Sequence, residues 1–303
     1  QDNNTRNNVP VDENGVMLNP IYLDENGVTI KSREWGIVGD VGVVDGVEYT
    51  IGDRSYIETW LSEDRNLNQL CTSLVTNMSG MFNESHFNRD ISNWDVSNVT
   101  NMSEMFLYSH FNGDISKWNV SNVTNMSNMF LSDYYQFIGF NGDISNWNVT
   151  NVTDMSGMFS GSYFNRDISN WDVSNVTNMR SMFLSSDFNQ DISNWNVTNV
   201  TDMSFMFYRS HFNRDISNWD VSNVTDMSYI FGESQFNQDI SNWNVSNVTN
   251  MNVMFKGSQF NQDISNWNVT NVINCREFSI NTPQWTLPKP NFTNCYPNLN
   301  LND

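Results

Sequence analysis

The stretch FNRDISNWDVSNVTNMSEMF, Phe87 to Phe106, returns as FNGDISKWNVSNVTNMSNMF from Phe111 and FNGDISNWNVTNVTDMSGMF from Phe140. Five more starts follow at Phe164, Phe188, Phe212, Phe236 and Phe260. Six of the seven intervals are 24 residues. The interval from Phe111 to Phe140 is 29, because LSDYYQFIG fills a loop that elsewhere has four residues. A fixed period in the range of roughly 20–50 residues means stacked units that cannot bury an apolar face alone. The period therefore predicts a solenoid of 24-residue turns.

Within one cycle the recurring apolar positions are Phe87, Ile91, Trp94, Val96, Val99, Met102, Met105 and Phe106. The run Ile91-x-x-Trp94-x-Val96-x-x-Val99 has the 3, 2, 3 spacing of a leucine-rich repeat. By that analogy Asn93–Ser97 is a short strand, with Trp94 and Val96 inward and Asn93, Asp95 and Ser97 on a concave face. Met102, Met105 and Phe106 then fall at helical spacing, which predicts one helical or 3-10 turn over Asn101–Phe106 on the convex side.

The array spans residues 71–278 and starts mid-cycle, since LVTNMSGMF at Leu74–Phe82 is the second half of a repeat without the first. Residues 1–70 are not repetitive and predict a small β-rich cap over the first open edge. Two DENG segments, Asp12–Gly15 and Asp24–Gly27, read as turns, with calcium binding as the other reading of their carboxylate and amide oxygens. VGVVDGVEYTIGD from Val41 reads as a hairpin around Asp-Gly. SYIETWLSEDR, capped by Asp53 or Ser55, reads as a short helix with Ile57, Trp60 and Leu61 on one face. Residues 279–303, rich in Pro and Asn, cannot continue the ladder and form a closing flap or a linker.

Lys plus Arg number 14 against 34 Asp plus Glu, a net charge of −20. That balance argues against nucleic acid or an anionic membrane surface as partner and suits an exported protein. No apolar run approaches the roughly 20 residues of a membrane span. The opening QDNNTRNNVP reads like a mature end left after removal of a signal peptide. Of three cysteines, Cys275 and Cys295 lie together past the array and can close a C-terminal loop, which fits an oxidising compartment. Cys71 is then an odd thiol buried in the first turn. Sequons such as those at Asn98 and Asn101 fall inside the repeat and read as by-products of the motif, not as glycosylation sites.

The motif FNxDISxWDVSNVTNMSxMF resembles the BspA-like leucine-rich-repeat surface proteins of bacteria, a branch shared with mycoplasma and listerial surface lipoproteins. The resemblance covers about residues 71–278. The leader around NPIYLDENGVTIK and the tail NTPQWTLPKPNF resemble flanks of such proteins in flavobacteria-like organisms, which are often exported by a type IX secretion route. No sorting domain for that route is recognisable. The resemblance implies a secreted or surface-attached protein that binds or adheres to protein or glycan, with export machinery as a further partner, and no enzyme. A stalk or surface-layer element without a selective ligand is the rival expectation, and a glycan- or calcium-binding repeat protein a third.

Each repeat position becomes a column along the stack. The Trp column (Trp94 to Trp267) and the fifteen repeat methionines read as core. The carboxylates of Asp90, Asp114, Asp143, Asp167, Asp191, Asp215, Asp239 and Asp263 form a column of like charges that repel unless each accepts hydrogen bonds or shares a cation. Two readings follow: acceptors for turn backbone N–H groups, or a calcium ladder. Asn88, Asn98 and their equivalents read as ladders that satisfy turn backbones. The regular polar columns of the concave face suit either plain solvation or a repetitive ligand, such as a glycan or an ice lattice.

Variation sits at the position after the first Ser of MSxM, which carries Glu104, Asn128, Gly157, Ser181, Phe205, Tyr229 and Val253. Phe205, Tyr208, Tyr229 and Val253, with Tyr134, Tyr135 and Phe137 of the enlarged loop, are the candidate binding residues; local packing is the alternative. His86, His110 and His211 share one column. Stacked His86 and His110 can meet a metal ion, but no third ligand type stands near them in sequence. Catalysis has little support, because every nucleophile or carboxylate recurs in each turn and an active site needs asymmetry.

Overall fold

A computed structural model describes residues 9–133 and 139–299. Its N-terminal part holds the predicted cap. Strands β1 (Ile21–Leu23) and β2 (Ile30–Ser32) pair antiparallel. The DENG turn between them closes with the Gly27 N–H donating to the Asp24 carbonyl at 3.0 Å. Strands β3 (Val41–Val44) and β4 (Val47–Ile51) form the hairpin, with φ of 49° at Asp45 and 79° at Gly46. Two consecutive positive φ values are what a primed turn between twisted strands requires.

Helix α1 (Arg54–Ser62) starts where its cap predicts: Asp53 accepts the Tyr56 N–H at 3.1 Å, and Ile57 and Trp60 are buried. A 3-10 turn, Leu67–Gln69, leads into β5 (Leu70–Cys71), which pairs parallel with β4 and places Leu70 opposite Thr50. Through β5 the cap joins the array. The Ile30 N–H donates to the Asn93 carbonyl at 2.9 Å, and the hydroxyls of Ser73 and Thr72 donate to the Asp95 side chain and carbonyl at 2.6 and 3.0 Å. The first turn therefore leaves few backbone groups at an open edge.

The rest is a repeat protein whose turns stack in register. N–H groups of Met102, Glu104, Phe106 and Tyr108 donate to the carbonyls of Asn125, Ser127, Met129 and Leu131 at 2.8–3.0 Å. Parallel bridges continue from Asn77 through Asn101 and Asn125 to Asn274. The inter-turn ladder thus runs along the Asn101–Tyr108 segment, which corrects two expectations. Asn93–Ser97 is no strand: the Trp94 N–H turns back to the Ile91 carbonyl at 3.2 Å, and Ser97 N–H to the Asp95 side chain at 3.1 Å. Asn101–Phe106 is neither helical nor 3-10, because φ is +57° at Glu104 and alternate N–H groups point along the stack. Each such residue occupies the third place of a turn, closed for Glu104 by Met105 N–H to Met102 carbonyl at 3.2 Å, as in a type II turn.

The apolar columns meet inside. Every one of the eight positions from Phe87 to Phe106 is buried, and one contiguous cluster runs from Ile57 to Trp285. Trp94 and Trp118 stack with centroids 6.4 Å apart, Phe106 and Phe130 at 5.6 Å. Each indole N–H donates to a carbonyl one turn back, for example Trp171 to Ile144 at 3.1 Å, so the Trp column is core with its polar atom satisfied.

At the far end the Pro- and Asn-rich tail folds over the last turn. Trp285 is buried against Phe255 and Phe260, with ring centroids 5.1 and 4.9 Å away, and Phe292 contacts Phe278 at 4.9 Å. The Ile264 N–H donates to the Pro288 carbonyl at 3.3 Å, and Asn294 reaches the Thr270 carbonyl at 2.6 Å. Cys275 and Cys295 are joined in a disulfide with Cα atoms 5.9 Å apart. Cys71 is free and buried, and burial pushes its thiol up to about 11.

Candidate functional site

Repeat chemistry accounts for most polar columns. All eight column aspartates accept the backbone N–H two residues on, from Ser92 onto Asp90 to Ser265 onto Asp263, at 2.9–3.0 Å. This is the turn-acceptor reading. The backbone N–H and hydroxyl of the following serine hold the carboxyls of Asp143, Asp167, Asp191 and Asp215 below the usual range. No group of three or more His, Cys, Asp or Glu gathers among the described residues.

The asparagines do form ladders. Asn88 accepts the Asn112 N–H at 2.9 Å, and Asn98 donates to the Ser73 carbonyl at 2.8 Å. The Asn98 amide is thus engaged in the inter-turn ladder, which gives the asparagine of this sequon a role in the fold. Asn146, Asn170 and Asp172, on the face expected to be concave, are exposed.

The column of Gly80 and Glu104 is one of those that vary from turn to turn, and its backbone is left-handed. Gly80, Glu104, Asn128, Gly157, Ser181, Phe205, Tyr229, Val253 and Glu277 all have φ between 53° and 62°. Left-handed backbone suits glycine and asparagine; a large or β-branched residue there is an outlier held by its surroundings. Phe205 and Tyr229 stack at 4.2 Å and 8°, and Tyr208 meets both edge-on at 5.8 and 5.7 Å. All three rings are half-buried.

Charges frame the rings. Arg180 lies 4.9 Å from the Phe205 ring and donates to the Ser204 hydroxyl at 2.8 Å. Arg209 lies 5.1 Å from the Tyr208 ring and pairs with Glu233 at 2.7 Å, while the Tyr208 hydroxyl donates to Glu233 at 3.2 Å. The hydrogen bond from Arg209 holds the Glu233 carboxyl low, and burial raises the Tyr208 phenol.

The candidate set is thus brought together in part. Phe205, Tyr208 and Tyr229 form one patch. Val253 does not join it as a surface residue: only 3% of it is exposed, so its expected binding role is withdrawn. Tyr134, Tyr135 and Phe137 lie outside the described residues. Sequence reasoning missed Arg180, Arg209 and Glu233. Arg180 was detectable as a departure, since it stands where Ser103, Ser127, Ser156, Ser204 and Ser228 stand in other turns.

No curated protein and no solved structure matches this chain. No helix among the described residues is long and apolar enough to cross a membrane. A family model does match, three times in overlapping succession over residues 54–137, 132–233 and 187–288. Those matches cover more than three quarters of the sequence and coincide with the stacked turns, so the chain belongs to the repeat family described as "Mycoplasma protein of unknown function, DUF285".

Proposed function

We propose that this protein is a secreted or surface-attached bacterial adhesion or binding module, a leucine-rich-repeat-like solenoid of the BspA-like kind, exported by a type IX route and without catalytic activity. The observation that carries the reading is the half-exposed Phe205–Tyr208–Tyr229 patch between Arg180 and Arg209, built from positions at which the turns differ. Aromatic rings beside arginine are the groups that dominate binding at protein interfaces. The Cys275–Cys295 disulfide suits an oxidising location, and the net charge of −20 suits a non-sticky exported chain. Protein or glycan at the cell surface is the partner class.

The test is a screen of the intact chain against immobilised glycans and surface proteins, repeated with Phe205→Ser/Tyr229→Ser. A partner retained by wild type and lost by the double variant supports the reading. A partner retained by both moves the site elsewhere, and Asn146 and Asn170 substitutions then test the polar columns.

A second reading, a structural stalk or surface-layer element, is favoured by one specific fact. Phe205 has Arg180 near its ring and Tyr229 stacked on it, so side chains of both adjacent turns already contact the ring. No partner in the screen favours the stalk.

A further inference from the structure

His86 and His110, equivalent residues of adjacent turns, bring their Nδ1 atoms to 3.3 Å of one another. The rings stand edge to face, 89° apart with centroids at 4.3 Å. Among the described residues neither imidazole has another polar side-chain partner, and His86 is exposed while His110 is half-exposed. The third histidine of the column differs, because His211 is occupied by Asp187 at 2.8 Å.

We propose that His86 and His110 form a two-imidazole site for a borderline divalent cation of the zinc class. The spacing is the argument. Two nitrogens each about 2.0–2.1 Å from a tetrahedral ion lie roughly 3.4 Å apart, so the pair already has the bite of one ion. The fit needs only rotation about the terminal torsions of two surface side chains, which are broad and weakly restrained. Backbone register supplies the preorganisation: the His110 N–H donates to the Ser85 carbonyl at 3.0 Å, which fixes one histidine relative to the other. Imidazole selects zinc, copper and nickel over magnesium and calcium, which prefer oxygen. Two protein ligands leave two positions for water, so the ion exchanges freely and is no part of the fold. This site is independent of the aromatic patch.

Calorimetric titration of zinc chloride into chelator-stripped protein, with millimolar magnesium present to occupy the acidic surface, tests the assignment. One saturable ion per chain is expected. His86→Gln and His110→Gln should each weaken binding by roughly tenfold or more, since losing even a hydrogen-bond partner of a ligand costs that much. His211→Gln should bind as wild type. Both substituted side chains reach solvent, and unchanged melting curves will show that the variants fold. Absence of saturable zinc binding in wild type overturns the proposal. So does equal binding by the His86→Gln/His110→Gln double variant, which would place the ion among the carboxylates.

Discussion

Phe205 lies face to face with Tyr229, 4.2 Å away and 8° from parallel, although each residue has a left-handed backbone, with φ of 58° and 61°. The pair is therefore a contest between strain and packing. Left-handed backbone costs about 1–2 kcal/mol for a residue with a Cβ, and a stacked pair returns about 0.5–1.5 kcal/mol beyond its area burial.

Glu104 shows the strain without the packing. It is exposed, its φ is +57°, and the same column holds Gly80 and Gly157. Glu104→Gly removes about 1–2 kcal/mol of strain and adds about 0.5–1 kcal/mol of unfolded-state entropy to lose. The expected result is a gain of up to about 1 kcal/mol in urea denaturation. Phe205→Gly, which also gives up the stack and the burial of half a ring, should come out less stable than wild type. Val253→Gly should destabilise, because that side chain is buried and its loss leaves a cavity.

Trp171 reports on the interior. It is buried, stacks on Trp195 at 6.5 Å and donates to the Ile144 carbonyl. Trp171→Ala should cost about 3–5 kcal/mol in chemical denaturation. A loss below about 1 kcal/mol, the lower end for an orphaned carbonyl alone, would place the column outside the energetic core.

The carboxylate column sets the acid response. Backbone and hydroxyl hydrogen bonds from the following serine depress Asp143, Asp167, Asp191 and Asp215. A depressed carboxylate stabilises the fold above its unfolded pKa of about 3.9 and loses that contribution as pH falls through its folded pKa. The melting temperature should therefore hold between neutrality and about pH 5, then drop below about pH 4. Asp167→Asn/Asp191→Asn keeps an oxygen acceptor for each N–H, as Asn148 does for Thr150 at 3.1 Å, and should melt normally at neutral pH with a shallower acid limb. Calcium chelation should leave the melting temperature unchanged; a fall of many degrees would revive the calcium ladder.

The period, the buried columns, the hairpin at Asp45-Gly46, the Asp53 cap and the Cys275–Cys295 pairing were legible because each rests on a local rule. The ladder's position was not. Trp94 and Val96 have the spacing of a leucine-rich-repeat strand, yet the Trp94 N–H closes a turn onto the Ile91 carbonyl, and the side chains of Asp90 and Asp95 capture the N–H groups of Ser92 and Ser97 that a strand would need. The left-handed column was also hidden. Gly80, Asn128 and Gly157 signal it, but Phe205, Tyr229 and Val253 do not, since residue type reveals a positive φ only when sterics choose the residue. Burial of Val253 is a tertiary fact that no spacing along the chain encodes.

The cysteines give the last test, because the two ends of the stack should respond oppositely to a thiol reagent. Cys71 is buried, with its Sγ 3.6 Å from the Ile30 carbonyl, and its thiol is pushed to about 11, so little thiolate exists at neutral pH. Native protein should label slowly, at the rate at which the cap opens. Cys275 and Cys295 are 20 residues apart, and closing a loop of that size contributes about 3 kcal/mol. Reduction should release the tail over Phe278 and Trp285 first and leave the cap end folded. Labelling of reduced protein should then reach Cys275 and Cys295 well before Cys71, read by peptide mass mapping. Equal rates at all three positions would mean that the stack opens as a single unit and that the tail is no independent closure of its last turn.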